Sequence, residues 1–411
     1  MKMLWVRPRV PWPLTSGASQ YSFGLLRALS EEFSITMLAP ELEDGPEEAE
    51  ELSRHLERLV TVVPPNRRSS AHRLLYGIWG RVRACGRGTL PALYMKWGLL
   101  APMRELTAKC GFDLVQFEFW TTAALAREAG ASVGGRRVVL LHDVEHVRYA
   151  RDAALAQEES RRRKLERAAA RAREFLRGLW GSVDLILTVT DADRAHVEAE
   201  LGGRVPVRAL PAIVESAPEC PEERIDPGNL VFTGVMTHGP NTDGVVYFCR
   251  EILGRIRTNA PGAVFTIVGR RMVREVQELA GEGVEIVTDA PAVRPYLERG
   301  EVFVAPLRTG SGIKMKVLEA MACGKAVVTT SVGAEGLGAR SGEEIAIADA
   351  PEEFARAVTE LLHDAPRRRR MGVAAREFVR RNHSLEAAGG RIRAIYRDLV
   401  SCKEHAAREA D

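Results

Sequence analysis

Cysteine is scarce and scattered. The six thiols (Cys85, Cys110, Cys220, Cys249, Cys323, Cys402) include no C-x-x-C pair and no histidine at zinc-ligand spacing, which excludes a disulfide scaffold and a tetrahedral zinc site. Long apolar runs are missing too. No stretch of about 18 apolar residues occurs, and the run from Met3 to Val6, broken at Arg7, is too short for a signal-peptide core. The expectation is a cytoplasmic enzyme with reduced thiols. An excess of one charge is also absent: 58 Lys and Arg stand against 55 Asp and Glu, so overall charge gives no argument for nucleic acid. What is present is a chain 45% apolar and 411 residues long, more than one hydrophobic core usually supports, so two domains are expected.

The first half opens with a β-rich run, MLWVRP (3–8), a Gly-containing loop, a helical pattern and a second run, SITMLAP (34–40). Strand, turn, helix and strand in that order begin a parallel α/β sheet. Further strands are predicted at 113–117, 137–141 and 184–189, and one long charged helical region at 148–179. Around 210–226 the sequence turns rich in Pro and Glu and reads as a linker. The α/β rhythm then restarts with NLVFTGV, a helix over 243–257, AVFTIVG, a short helix near 274–280, VEIVT, EVFVAPL, AVVTT and EIAIA. The expected fold class is α/β, with two Rossmann-like doubly wound domains facing a cleft. Their expected boundaries are 1–212 and 213–383, with a C-terminal helix, 384–411, packing back on the first.

The segment RTGSGIKMKVLEAMACGKAVVTTSVGAEGL (308–337) concentrates the chemistry. It follows the run EVFVAPL, so its loop is expected at the carboxyl edge of a parallel sheet, where α/β proteins bind ligands. Gly310 and Gly312 let the backbone approach a ligand, and the free amides of the next helix favour an anion. A helix starting near Gly312 sets Gly312, Lys316, Glu319 and Cys323 on one face and buries Val317, Leu318, Ala320 and Met321. Lysine for phosphates and glutamate for vicinal hydroxyls suit a nucleotide sugar. The alternative is an ordinary surface pair of Lys316 and Glu319.

The same stretch resembles the donor-site motif of retaining GT-B glycosyltransferases, the large group 1 family that includes sucrose synthases and bacterial mannosyltransferases. VFTGVMTHGPNTDGVVYF (231–248), LLHDVEHVRYARDA (140–153) and DLILTVTDADRAHV (184–197) resemble, in order, further blocks of a subgroup of sugar transferases from polysaccharide and exosortase-linked clusters. The resemblance implies that Glu319 binds the ribose hydroxyls as the second acid of an E-x7-E motif. Gly234 and the loop residues Arg308, Ser311, Gly312, Lys314 and Lys316 then belong to the donor site. Two departures stand out. The first glutamate of the motif falls at Ser311, and the family's diphosphate-clamping arginine and lysine fall near Val235 and Pro240, neither basic. Losing two cations opposite a dianionic leaving group costs several kcal/mol of transition-state stabilisation. Lys316, Lys314 and Arg308 are the nearest replacements, Lys316 first because it shares the face of Glu319. No metal and no cofactor is expected; these cations stand where other transferases hold a metal.

In the first half, TSGAS places Gly17 after the first strand, where the resemblance implies a close approach to the diphosphate and acceptor, and a plain turn glycine is the alternative. His142 follows RVVLL at a strand end that opens on ligand. By resemblance it is the candidate catalytic histidine that contacts the transferred sugar; a capping or solvent-exposed histidine is the alternative. Asp143, Glu145 and Glu118 lie at similar edges and are candidates to orient an acceptor hydroxyl, or are solvated loop acids. Between 66 and 104 eight Lys or Arg and no acid are interleaved with Tyr76, Trp79, Tyr94 and Trp97, a composition for peripheral contact with an anionic membrane carrying a lipid-linked acceptor, or for a basic surface lining an acceptor.

The function expected is transfer of a sugar from a nucleotide-diphosphate donor, UDP favoured, to an acceptor hydroxyl on a lipid carrier, glycan or small metabolite, with retention of configuration. The competing readings are a nucleotide-sugar epimerase on the same fold and a non-catalytic sugar-nucleotide-binding subunit.

Overall fold

A computed structural model describes residues 1–40, 49–63, 90–129, 134–215 and 224–408. Most of the basic segment 66–104 lies outside the described residues, as does much of the 210–226 stretch. The chain divides into two compact units. One comprises Met1–His146, Arg167–Pro211 and Gly389–Asp411; the other comprises Val147–Glu166 and Ala212–Ala388.

The first unit is built on a seven-stranded parallel sheet. Its strands are β1 (Lys2–Val6), β2 (Ser34–Pro40), β3 (Arg58–Val62), β4 (Leu114–Glu118), β5 (Arg136–Leu141), β6 (Leu185–Thr188) and β7 (Val207–Ala209), ordered 3-2-1-4-5-6-7. The second carries a six-stranded parallel sheet: β8 (Asn229–Val235), β9 (Val264–Arg270), β10 (Val284–Thr288), β11 (Val302–Ala305), β12 (Val327–Thr329) and β13 (Ala346–Ile347), ordered 10-9-8-11-12-13. Both orders reverse direction beside the first strand, between β1 and β4 and between β8 and β11. Such reversals leave a crevice at the carboxyl ends of the strands.

The central strands are near-continuous apolar runs because both sheet faces are covered. Met3, Leu4, Trp5 and Val6 of β1 are all fully buried, as are Val302 to Ala305 of β11 to within 1%. In the second unit Phe248 packs on Phe265 at 4.4 Å and on Phe354 at 6.0 Å between ring centroids.

Several expectations are corrected. The helical region 148–179 is two helices, Glu145–Leu155 and Glu159–Arg177, broken across residues 156–158. The helix expected over 243–257 starts at Gly239, with Pro240 in its first turn, and passes through one π-helical turn, Phe248–Ile252. The opening of the expected linker is buried rather than exposed. Tyr21 donates its hydroxyl to the Leu210 carbonyl (3.2 Å), while the Val214 amide bonds the His383 carbonyl (2.8 Å). Ala212, Ile213 and Val214 lose their surface to this packing. Strands β3 and β7 and the helices Pro351–His363 and Ala365–His383 had no counterpart in the sequence pattern.

Candidate functional site

At the carboxyl edge of the second sheet, the loop after β11 rises through Gly310 (φ 116°) and Gly312 (φ 72°). Those left-handed angles are cheap only for glycine and are incompatible with a helix, so the helix begins at Met315, with Lys314 as its cap, and not near Gly312. Met315, Val317, Leu318, Ala320, Met321 and Ala322 are buried, and Lys316 and Glu319 are the residues of this helix that keep accessible surface. Cys323 does not join them; it is the buried C-cap.

Lys316 turns toward β8. Its ammonium donates to Asn241 Oδ1 at 2.6 Å and lies 4.0 Å above the centroid of Phe232. Asn241 in turn donates from Nδ2 to the Val235 carbonyl at 2.9 Å. A cation therefore does reach the loop of Val235 and Pro240, but it arrives from another element. Gly234 makes room for it: a Cβ there would come within 2.7 Å of both Lys316 Nζ and Asn241 Nδ2. Burial, reinforced by Lys314 and opposed by Glu319, brings the Lys316 ammonium down to about 7.

The other two candidate cations are engaged. Arg308 forms a two-point pair with Asp243 (Nε to Oδ2 3.0 Å, Nη2 to Oδ1 2.6 Å) and stacks 4.3 Å over Tyr247. Lys314 is buried and bends back on its own loop, donating to the carbonyls of Gly312 (2.6 Å) and Ser311 (3.2 Å). Both brace the loop. Two residues missed by the sequence reading brace it further from within the same unit: Arg151 donates to the Gly310 carbonyl and pairs with Glu335 at 2.7 Å, and Asp152 accepts from the Thr309 hydroxyl. Ser311 is buried.

At the carboxyl edge of the first sheet, Glu118 ends β4 and His142 follows β5. Their side chains meet, with His142 Nε2 2.5 Å from Glu118 Oε1. Glu118 has no exposed surface, which corrects its reading as a group that meets an acceptor directly. Its carboxylate bonds Trp5 Nε1 (2.7 Å), the Ser22 hydroxyl and His142, and is ion-paired with the Arg7 guanidinium, whose Nε lies 2.6 Å away. Burial by itself would raise the Glu118 carboxyl, but Arg7, His142 and Ser22 outweigh it and hold it below its ordinary range. Burial lowers Arg7 to about 10, against the pull of Glu118, leaving it charged at neutral pH. Phe119 stacks on the imidazole at 4.2 Å and Tyr21 meets it edge-on at 5.1 Å.

Arg7 was legible only as a cation placed just after an apolar strand; Phe119 gave no sequence signal. Gly17 opens the helix Gly17–Leu29, capped by Ser16 Oγ accepting from the Ser19 amide at 3.2 Å. Asp143 lies in the bend after β5 and Glu145 begins the helix Glu145–Leu155, both half-buried. Among the described residues no group of three or more His, Cys, Asp or Glu is arranged to hold a metal ion, and no helix is long and apolar enough to cross a membrane.

Comparison with known proteins tiles both units. Residues 15–215 match the family described as Glycosyltransferase Family 4, and residues 227–364 match Glycosyl transferases group 1. Both matched families are glycosyltransferases. A protein from the cps region of Klebsiella pneumoniae, of 44.6 kDa, is 24% identical over 164 residues, which span 38% of this chain and 42% of that one, less than half the relative's length. Among solved structures, this chain is similar to sucrose-phosphate synthase from Thermosynechococcus elongatus, with a TM-score of 0.75 and 15% identity over 98% of this chain and 100% of that one. It is also similar to TarM (TM-score 0.70, 10% identity, 97% and 99% covered) and to HepE of Anabaena in complex with UDP-glucose (TM-score 0.65, 11% identity, 97% and 100% covered). At these identities the likeness establishes the GT-B fold of two Rossmann-like domains.

Proposed function

We propose that the chain transfers a sugar from a nucleotide-diphosphate donor, a UDP-sugar by preference, to an acceptor hydroxyl with retention of configuration and without a metal. The observation that carries this is Lys316. An ammonium drawn from the helix Met315–Ala322 to the end of β8 supplies positive charge at the loop where Val235 and Pro240 provide none. A diphosphate is the dianionic group that such a cation stabilises most as the leaving bond breaks. Glu319, one turn further along the same helix, is suited to accept from ribose hydroxyls, and the Gly310–Gly312 backbone to approach the phosphates. HepE and TarM have been crystallised with UDP, which supports uracil as the base.

In this reading the leaving phosphate helps take the acceptor proton in a same-face substitution, and the protein positions and stabilises charge. His142 contacts the transferred sugar. Asp143 and Glu145 orient the acceptor, while Arg308, Ser311 and Lys314 shape the loop. Gly17 gives its helix N-terminus room near the ligand. The acceptor class is a lipid carrier, glycan or small metabolite, and the protein works in the cytoplasm, with membrane contact through the basic segment 66–104.

The test is incubation with a panel of nucleotide sugars, with EDTA throughout, following nucleoside diphosphate release and the anomeric configuration of the product. Release of UDP with a retained linkage supports the proposal. Interconversion of donors without release identifies an epimerase, and binding without turnover identifies a sugar-nucleotide-binding subunit; either outcome overturns it.

A further inference from the structure

A fully buried carboxylate beneath a nearly buried imidazole is an expensive arrangement, and in this chain it is closely specified. Glu118 Oε2 faces Trp5 Nε1 at 2.7 Å and Arg7 Nε at 2.6 Å, two groups that can only donate. Oε1 faces the Ser22 hydroxyl and His142 Nε2. Arg7 also donates from Nη2 to Ser22 Oγ at 2.8 Å, so the hydroxyl is held from behind. The buried charge closes between one guanidinium and one carboxylate. An ionised carboxylate has no proton to give, so the hydrogen between Oε1 and Nε2 sits on Nε2.

The ring is fixed by more than this bond. Phe119 lies parallel to it at 4.2 Å and 11°, and reaches that position with φ at 71°. A bulky residue in the left-handed region is an outlier that persists only when its surroundings over-determine it. Here the Phe119 amide bonds the Leu140 carbonyl at 2.8 Å and the Thr122 hydroxyl bonds the Glu118 carbonyl, holding the turn. Tyr21 closes the ring's remaining flank.

We propose that Glu118 is a positioning residue for His142: its carboxylate locks the Nε2–H tautomer and turns Nδ1 outward as a bare acceptor for a hydroxyl of the transferred sugar. The choice of sugar hydroxyl rests on the proposed function; the tautomer does not. Glu118→Gln discriminates sharply. Trp5 Nε1 donates to the Oε2 position and the Arg7 guanidinium holds its charge against it, so the oxygen of the new amide stays there and its nitrogen must face Ser22, which can accept, and His142 Nε2, which must then accept as well. The tautomer inverts to Nδ1–H.

The experiment is 15N NMR of the full chain labelled at histidine, with His142 assigned by difference from H142Q, alongside transfer kinetics. The wild type is expected to show Nε2–H, E118D to retain it, and E118Q to show Nδ1–H. In E118Q kcat falls about tenfold to a hundredfold while KM for the donor stays within about threefold, as for loss of one hydrogen bond made to the reacting sugar. Should E118Q not fold because Arg7 loses its partner, the double variant R7M/E118Q removes both charges and is read the same way. An Nδ1–H wild type, or an unchanged tautomer in the glutamine variant, overturns the proposal whatever the activity. Tautomers as expected in a chain without transferase activity leave it standing and remove the proposed function instead.

Discussion

The Lys316 ammonium donates to Asn241 Oδ1 at 2.6 Å, across 75 positions of sequence. That bond brings one cation to a strand end whose own loop has none, and its behaviour with pH follows from its surroundings. With the ammonium down at about 7, the free site carries its charge below that pH and sheds it above. Affinity for UDP is therefore expected to fall as pH rises through about 7, by calorimetry, since the bound diphosphate must pull a proton back. Lys316→Arg keeps its charge and flattens the profile; Lys316→Ala loses binding at every pH. The same shift affects the ligand-free fold with the opposite sense. Between about 7 and the ordinary lysine value of 10.5 the unfolded chain holds a proton the folded chain has shed, so stability rises with pH across that window. Lys316→Met removes the slope in denaturation midpoints.

Gly234→Ala and Gly269→Ala separate binding from folding. A Cβ on Gly234 meets the flexible tips of Lys316 and Asn241 at 2.7 Å, and both can move aside. UDP affinity should drop tenfold to a hundredfold, about 1–3 kcal/mol, with little change in melting temperature. A Cβ on Gly269 meets the Gly234 carbonyl at 2.6 Å, and backbone cannot move so cheaply in a central strand pair. That variant is expected to lose stability as well.

Arg308→Ala should weaken UDP binding by less than about tenfold, far less than Lys316→Ala. Its charge is already balanced by Asp243 and it stacks on Tyr247 at a partly exposed site, where ion pairs contribute about 0–1 kcal/mol. A loss equal to that of Lys316→Ala would make Arg308 the clamp.

Tyr396→Phe tests how the C-terminal helix, Leu385–Arg408, is held to the first unit. The buried Tyr396 hydroxyl donates to Gln116 Oε1, and Gln116 Nε2 has no partner among the described residues. Removing the hydroxyl leaves the amide without either bond and should cost about 1–3 kcal/mol in urea denaturation, with donor affinity unchanged.

Strand ends were the readable part of the site. EVFVAPL and RVVLL mark where β11 and β5 stop, so Arg308 and His142 could be placed at carboxyl edges from apolar runs alone. The short β3, half-exposed, and β7, only three residues long, were hidden because edge strands carry little periodic signal. The helix start was misread for a local reason: glycines at 310 and 312 looked like a helix N-terminus, but their positive φ values delay the helix to Met315.

By itself the sequence determined the doubly wound architecture, because near-continuous apolar strands alternating with helical patterns have few other ways to bury both sheet faces. It also determined which residue types stand at the strand ends. Only the tertiary structure decided which of them are free to meet a ligand. Arg308 and Lys314 are spent on loop bracing, Glu118 lies beneath His142, and Lys316 reaches the loop that lacks a cation. Each of these depends on a partner between 2 and 113 positions away, and spacing along the chain carries no record of pairings that the order of strands in the sheet creates.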